Sequence, residues 1–174
     1  MSEFNQPKQQ VENQFNAENI HFNSSNFIIQ IWDKLEPDLQ DAIALAYNQA
    51  QREGGDTVRT KNLFAALARL RPEPITEFLD YFPAEAFPKP LSNDVSTERT
   101  LLSENPTLSG CVDTSLRNLS ARVPENRKLS SADVLVDIAE NGTGHTVARL
   151  RENGITKERI NEVVGELGWN VIRR

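Results

Sequence analysis

The chain has 174 residues, of which 38% are hydrophobic, and a formal net charge of −6. Because broad binding to nucleic acid or to an anionic membrane relies on basic surfaces, this charge argues against both kinds of partner. The chain has one cysteine and no apolar run approaching twenty residues, which excludes an internal disulfide framework and argues against a transmembrane helix.

Residues 1–26 form a polar segment rich in asparagine and glutamine. It lacks the basic and apolar regions of a signal peptide, so we expect a cytoplasmic protein. Its few large apolar side chains bury too little to offset the entropy of ordering, which predicts a flexible extension. A short β-hairpin is the alternative, because Ile20 and Phe22 alternate before a turn-like segment and Phe27–Ile31 alternates after it. Phe27–Ile31 equally fits an apolar lead-in to the first helix.

Residues 27–88 carry the spacing of α-helices. Pro37 suits the first position of a helix. The apolar stripe that follows it consists of Leu39, Ile43, Ala46 and Ala50. Gly54–Gly55 predicts the end of that helix. Thr60 is predicted to cap a second helix, which Arg71–Pro74 ends, and a short third helix follows.

A linker is predicted at 89–107, where the sequence is rich in proline and polar residues, and the helical pattern begins again over 108–174. The first stripe is repeated 73 positions later by Val112, Leu116, Leu119 and Val123. This repetition predicts a second unit of the same kind.

A second phrase is also repeated: VRTKNLFAAL (58–67) is followed 71 positions later by LSSADVLVDI (129–138), with Ser131 as the predicted cap. A glycine-containing break follows at 142–144, and Thr156 is predicted to cap the last helix. Duplication of a helical unit predicts an all-α fold, in which two pseudo-symmetric helical repeats pack together. Neither repeat is large enough for a secure core alone.

These phrases resemble the Clp N domain, the N-terminal repeat domain of the Clp family of AAA+ protein unfoldases. WDKL (32–35), followed by LQDAIALAYNQAQREGG, is similar to the opening of the family's first repeat. The family's next phrase is Ile or Val, then Gly-Thr-Glu-His and a Leu-rich helix, and both repeated phrases are similar to it. NGTGHTVARLRENGI (141–155) carries the family's glycine break and the pattern that closes its next helix. The resemblance covers roughly residues 32–169.

The resemblance implies a pair of four-helix repeats that bind client proteins, adaptors or partner subunits. Family members that recognise phosphorylated arginine hold its guanidinium group with the glutamate of Gly-Thr-Glu-His, where this sequence has Lys61 and Ala132. Because lysine repels a guanidinium group and alanine accepts no hydrogen bond, we expect that activity to be absent. The family's histidine is replaced by Asn62 and Asp133, whose side chains can both hydrogen-bond the backbone near a helix start.

The sequence offers no motif for catalysis. It contains no phosphate-binding loop, so ATP hydrolysis by the AAA+ mechanism is not expected, and it has neither H-E-x-x-H nor C-x-x-C. Cys111 fits a small core residue near a helix start, and His145 fits an exposed residue at the start of a helix. We therefore expect no enzyme activity, no cofactor and no metal site.

Three aromatic residues near the end of the first repeat admit two interpretations, as core residues that close the repeat or as an exposed docking patch. Together with the polar positions of the repeated phrase, they complete the candidate protein-binding set: Lys61, Asn62, Tyr81, Phe82, Phe87 and Asp133.

The sequence thus predicts a non-enzymatic protein–protein interaction module whose partner is a Clp-type unfoldase, peptidase, adaptor or client protein. The alternative is an adaptor domain of another bacterial multi-component system, in signalling or defence, with residues 1–26 as its coupling segment. Neither nucleic acid nor a membrane is an expected partner.

Overall fold

The computed structural model describes residues 27–89 and 107–173, and this part of the chain is mostly α-helical, which confirms the predicted all-α class. The helices are α1 (Phe27–Ile31), α2 (Pro37–Arg52), α3 (Thr60–Leu70), α4 (Glu73–Leu79), α5 (Gly110–Ser120), α6 (Ser131–Asn141), α7 (His145–Glu152) and α8 (Lys157–Glu166). Between them lie 3₁₀ turns at Trp32–Lys34 and Ala84–Ala86 and the two-residue strands β1 (Thr57–Val58) and β2 (Thr107–Leu108). None of these described helices is both long enough and apolar enough to cross a membrane.

Helix α1 decides between the two interpretations of its own residues. Phe27–Ile31 is helical, so it is not the second strand of a hairpin, and Ile28 and Ile31 are buried. The rest of the predicted hairpin and the predicted extension at 1–26 lie outside the described residues. The predicted linker at 89–107 also lies outside them, except for its two end residues.

Helix α2 begins and ends as its sequence predicts. Pro37 occupies the first helical position, where a missing N–H costs no hydrogen bond. The predicted stripe is buried throughout: Leu39, Ile43, Ala46 and Ala50. The helix ends at Arg52, and Gly54 takes a φ of 81°, a conformation that suits glycine because it has no Cβ.

Two short parallel pairings join the segment before the gap to the segment after it. Val58 in β1 pairs with β2, and the Ser109 N–H donates to the Val58 carbonyl over 3.0 Å. Leu35 bridges to Leu129, whose carbonyl accepts from the Glu36 N–H over 2.9 Å. The first pairing therefore fixes the segment before α3 against the segment before α5, and the second fixes the segment before α2 against the segment before α6.

The two described segments share one hydrophobic core. Apolar side chains of both form a single buried cluster, to which residues 27–89 contribute α1 to α4 and residues 107–173 contribute α5 to α8. Among the largest completely buried side chains are Ile28, Leu35, Phe78, Leu116, Leu119 and Leu129. Because the cluster is continuous, neither segment keeps a core of its own.

Candidate protein-binding site

Two of the candidate residues lie at the start of α3. Asn62 is buried, and its Oδ1 accepts a hydrogen bond of 3.1 Å from the backbone N–H of Arg59. Lys61 is exposed, and its Nζ lies 2.6 Å from Oε2 of Glu53. The hydrogen bond from Lys61 is the main reason that the pKa of Glu53 is lowered. Asn62 is therefore a structural residue, whereas Lys61 is a paired cation on the surface.

Asp133 takes the corresponding third position of α6 and is completely buried. Nη2 of Arg127 donates to its two oxygens over 2.7 and 2.8 Å. The backbone N–H and the hydroxyl of Ser130 donate to Oδ2 over 2.9 and 2.7 Å, and the Ile172 N–H donates to Oδ1 over 2.7 Å. Because five donated hydrogen bonds offset the loss of hydration, this carboxylate can be held inside the protein.

The predicted helix caps are wrong by one residue. Thr60 and Ser131 are the first residues of α3 and α6, and the N-cap positions belong to Arg59 and Ser130. The Ser130 hydroxyl accepts from the backbone N–H of the third helical residue over 3.2 Å, whereas the arginine side chain offers no oxygen to do so. The prediction that the third residue of each helix bonds the backbone is confirmed.

Glu36 is the N-cap residue of α2 and lies near the buried Asp133. Burial, and then the neighbouring charges of Asp38 and Asp133, raise the pKa of Glu36 above its ordinary value of 4.5. The nearby cations Arg127 and Lys128 lower the pKa and offset part of this effect. The folded protein thus holds the Glu36 proton more tightly than the unfolded chain does.

Glu36→Gln is expected to increase stability at neutral pH relative to the unmodified protein, and to lose that advantage in acid. The unmodified protein loses stability as the pH rises from 4.5 through the raised pKa of Glu36, and the amide does not titrate. Thermal unfolding from about pH 4 to 7 measures the difference. Glu125→Gln, at an exposed position, is the control. A Glu36→Gln difference that is constant with pH would contradict the prediction.

The aromatic residues divide between the two interpretations of their role. Phe82 and Phe87 are buried, with ring centroids 6.3 Å apart, and Phe82 also lies 5.1 Å from Phe78. Tyr81 is 39% exposed. The core interpretation therefore holds for the two phenylalanines, and only the tyrosine is available to a partner.

The six candidate residues do not form one exposed surface. A buried side chain cannot contact a partner unless the fold opens, which corrects the candidate set by four residues: Asn62, Phe82, Phe87 and Asp133. Lys61 and Tyr81 remain accessible, and their part in binding stays a prediction.

A cleft of about 380 Å³ lies between the start of α3, the start of α5 and the end of α6. Leu63, Val112 and Ile138 supply its apolar wall. The polar side chains that line it are Thr60, Cys111, Thr114, Ser115, Asn141 and Thr143. None of the described residues lining the cleft is charged. The cleft was not predicted, because its residues are brought together by three helices and share no sequence motif.

Cys111 corrects a prediction, since it is exposed at the second position of α5 and is not a core residue. Its Sγ lies 3.6 Å from Oγ1 of Thr143. The adjacent Val112 is the residue of the buried stripe, and a shift of one position turns a helical side chain by about 100°. The thiol therefore forms part of the cleft wall.

A buried polar network fixes two walls of the cleft. Asp137 of α6 accepts a hydrogen bond from the hydroxyl of Ser115 in α5, and it accepts a second, of 3.1 Å, from Nδ2 of Asn141. Asp137 and Ser115 are both almost completely buried. Because leaving such a carboxylate without donors would be costly, the network holds α5 against α6.

The described residues include no group of three His, Cys, Asp or Glu side chains placed to hold a metal ion. His145 is the first residue of α7 and is exposed, as predicted. Comparison of the chain with protein-family profiles, curated proteins and solved structures finds no match. The resemblance to the Clp N domain therefore stays a prediction from the sequence phrases.

Proposed function

We propose that this chain is a non-enzymatic protein-binding module of the Clp N type, built from two helical repeats around one core. The proposed partner is a Clp-type unfoldase, peptidase, adaptor or client protein. The observation that carries the proposal is a pair of matching hydrogen bonds between the two halves of the chain.

These two bonds are related by the same offsets as the sequence phrases. The Glu36 N–H donates to the Leu129 carbonyl, and the Ser109 N–H donates to the Val58 carbonyl. The donors are 73 positions apart and the acceptors 71. The entry to the first long helix of each half therefore binds the entry to the next helix of the other half. Reciprocal contacts of this kind are expected when two copies of one unit pack about a twofold axis.

The lengths and positions of the helices support the same proposal. Helices α3 and α6 each contain 11 residues, and both their starts and their ends are 71 positions apart. The starts of α2 and α5 are 73 apart, and those of α4 and α7 are 72 apart. Each half therefore contains three matching helices, α2 to α4 in the first and α5 to α7 in the second. Among the described helices, the fourth helix of the first half is α1, which precedes its three, and the fourth helix of the second half is α8, which follows its three.

The proposed symmetry breaks at the cleft. It relates Cys111 to Asp38 and Thr60 to Ser131. On one side the Ser131 hydroxyl donates to the Asp38 carboxylate, so these two side chains meet. On the other side Cys111 and Thr60 line the cleft, and the thiol contacts Thr143 instead. We therefore propose the cleft, where the two halves differ, as the partner's site.

The chemistry of the cleft indicates what enters it. A volume of about 380 Å³ accommodates one or two side chains of a partner segment. A charged side chain would lose its hydration there without meeting an opposite charge, which is costly. An uncharged side chain with an apolar body and a polar tip would match both the apolar wall and the hydroxyl, thiol and amide groups beside it.

Thr114→Arg tests this function. Thr114 is an exposed residue of α5 that lines the cleft, so an arginine there would fill the site with a charge. The full-length protein, used as bait in label-free affinity capture, is expected to retain a defined Clp-type partner, and Thr114→Arg is expected to lose it. Binding of the purified partner, measured by calorimetry, is expected to weaken at least about tenfold, the equivalent of 1.4 kcal/mol.

The matched control is Asn118→Arg, which adds the same charge one turn further along α5, at an exposed position that does not line the cleft. Equal loss of the partner in both variants would contradict the cleft as the site. Absence of any Clp-type protein from the capture would contradict the proposed function itself.

A further inference from the structure

Residues 169–173, here called the tail, follow α8 and lie against α4 and α6 without helix or strand structure of their own. Trp169, Val171 and Ile172 are half-buried, while Asn170 and Arg173 are exposed. The tail thus lies in a surface groove and is not part of the buried core.

The body of the protein holds the tail through the tail's backbone. The Ile172 N–H donates to Asp133 over 2.7 Å. Nη1 of Arg127 donates to the Asn170 carbonyl over 2.7 Å, and Nη1 of Arg122 donates to the Arg173 carbonyl. Asp133 and Arg127 are themselves paired, so both are oriented before the tail is added. Backbone groups are the same in every peptide, and these contacts therefore select the backbone shape of a segment but not its sequence.

The side chains of Trp169 and Arg173 add selectivity, and Nη1 of Arg173 donates to Oδ1 of Asn161 in α8. The ring of Trp169 stacks on Phe78 of α4, with centroids 5.5 Å apart and planes 25° apart. Nη2 of Arg173 lies 3.3 Å from Oε1 of the buried Glu140, an ion pair whose geometry leaves that oxygen without a hydrogen bond. The groove thus recognises an aromatic residue and, four positions later, a basic residue.

We propose that this tail groove, formed by Phe78, Arg122, Arg127, Asp133 and Glu140, is a peptide-binding site that the tail occupies in the free protein. Its other occupant is a segment of a partner protein with the same chemistry: an aromatic residue, one residue of any kind, two branched aliphatic residues and a basic residue. The groove shares no lining residue with the cleft, so this inference is independent of the proposed function.

Exchange of the two occupants is physically reasonable, because a half-exposed segment outside the buried core can open locally at less than the global free energy of unfolding. A tethered segment also competes at a high effective concentration, in the millimolar range for a short connection. A partner segment therefore displaces the tail only if its affinity for the groove or its local concentration is high enough to compete with the tethered tail.

The test uses the full-length protein with the variant Trp169→Ala, which removes the stacked ring from the tail. The probe is a fluorescent peptide with the sequence of residues 168–173 and blocked ends, and binding is followed by fluorescence anisotropy. We expect saturable binding to Trp169→Ala that is about tenfold or more tighter than binding to the unmodified protein, since the competing tail is weakened. Ile172→Pro, whose tail has no N–H for Asp133, is a second variant that keeps the tryptophan, and it should also bind the peptide.

The controls separate the groove from unspecific binding. A peptide methylated at the nitrogen of the Ile172 position lacks the N–H that Asp133 accepts, and it should bind about tenfold or more weakly. Trp32→Ala, at the protein's other tryptophan, should leave peptide binding as in the unmodified protein. Equal affinity for the methylated peptide, or no binding to either tail variant while circular dichroism shows both folded, would overturn the proposal. Concentration-dependent dimerisation of the unmodified protein that Trp169→Ala abolishes would also overturn it, because the groove would then bind the tail of a second copy.

Discussion

Asp133→Ala is expected to lower the free energy of unfolding by about 3 kcal/mol, the lower end of the range for a buried charge pair, because Asp133 is completely buried whereas its partner Arg127 is partly exposed. Arg127 would lose both of its bonds to the carboxylate, and the N–H groups of Ser130 and Ile172 would lose their acceptor. The loss exceeds that of an ordinary hydrogen bond, since groups shielded from water are left unpaired. Urea unfolding followed by far-UV circular dichroism measures it.

The chain provides a matched control in Asn62→Ala. Asn62 holds the same third position, in α3, and accepts one backbone hydrogen bond, but it is neutral. Its loss is expected to cost about 1 kcal/mol, as for a helix cap. Similar losses at Asn62 and Asp133 would show that the charge pair adds nothing and would contradict the prediction.

A double-mutant cycle isolates the pair itself. Once Asp133 is alanine, Arg127 has lost the carboxylate that it binds, so Arg127→Ala is expected to cost much less in that background than alone. Strict additivity of the two losses would mean that the pair contributes no coupling, although Arg127 Nη2 lies 2.7 and 2.8 Å from the two oxygens.

The helices were predictable because their signals are local. The apolar stripes place α2 and α5, and α3 ends at Leu70, directly before the predicted break at Arg71–Pro74. Thr156 caps α8 as predicted, since its Oγ1 accepts from the Arg159 N–H over 3.3 Å. A stripe repeats every three or four residues and a cap acts within one turn, so neither depends on the rest of the fold.

What the sequence did not predict depends on contacts between distant residues. Strands of two residues, β1 and β2, show no alternation, and they form because the two halves meet. The burial of Asp133 depends on Arg127 and on the tail. Ile172, the tail residue that bonds Asp133, lies 39 positions further along the chain. An acidic residue near a helix start is usually exposed. The sequence around Asp133 therefore indicates a surface residue, and only the tertiary fold shows that Asp133 is buried.

The caps were misplaced for a different reason. In the second half, Ser130 and Ser131 are adjacent hydroxyl residues with the same preference for the N-cap position, and the sequence does not choose between them. At the corresponding pair in the first half, Arg59 and Thr60, only Thr60 carries a hydroxyl, and the helix nonetheless begins at Thr60 with Arg59 as the N-cap. The start is therefore fixed by the neighbouring pairing of Val58 with β2 and not by the capping side chain.

Gly142→Ala is expected to destabilise the protein by about 3 kcal/mol, the upper end of the range for overpacking. A Cβ on Gly142 would overlap the carbonyl oxygen of Ile138 and would lie 2.9 Å from Cγ2 of Val147. The first contact is with backbone at the end of α6, which a change of rotamer cannot relieve. The φ of Gly142 is −64°, so its requirement is for space and not for a left-handed conformation. Thermal and urea unfolding measure the loss.

Gly110→Ala is the matched control, because it introduces the same methyl group where no atom lies within 4 Å. Gly110 is the first residue of α5, and alanine there should raise stability by up to about 1 kcal/mol, since it reduces the entropy of the unfolded chain. Both glycines line the cleft, one at the start of α5 and one after the end of α6. If Gly142→Ala were as well tolerated as Gly110→Ala, α6 and α7 would have to separate at this point, and the described cleft would not have a fixed wall there.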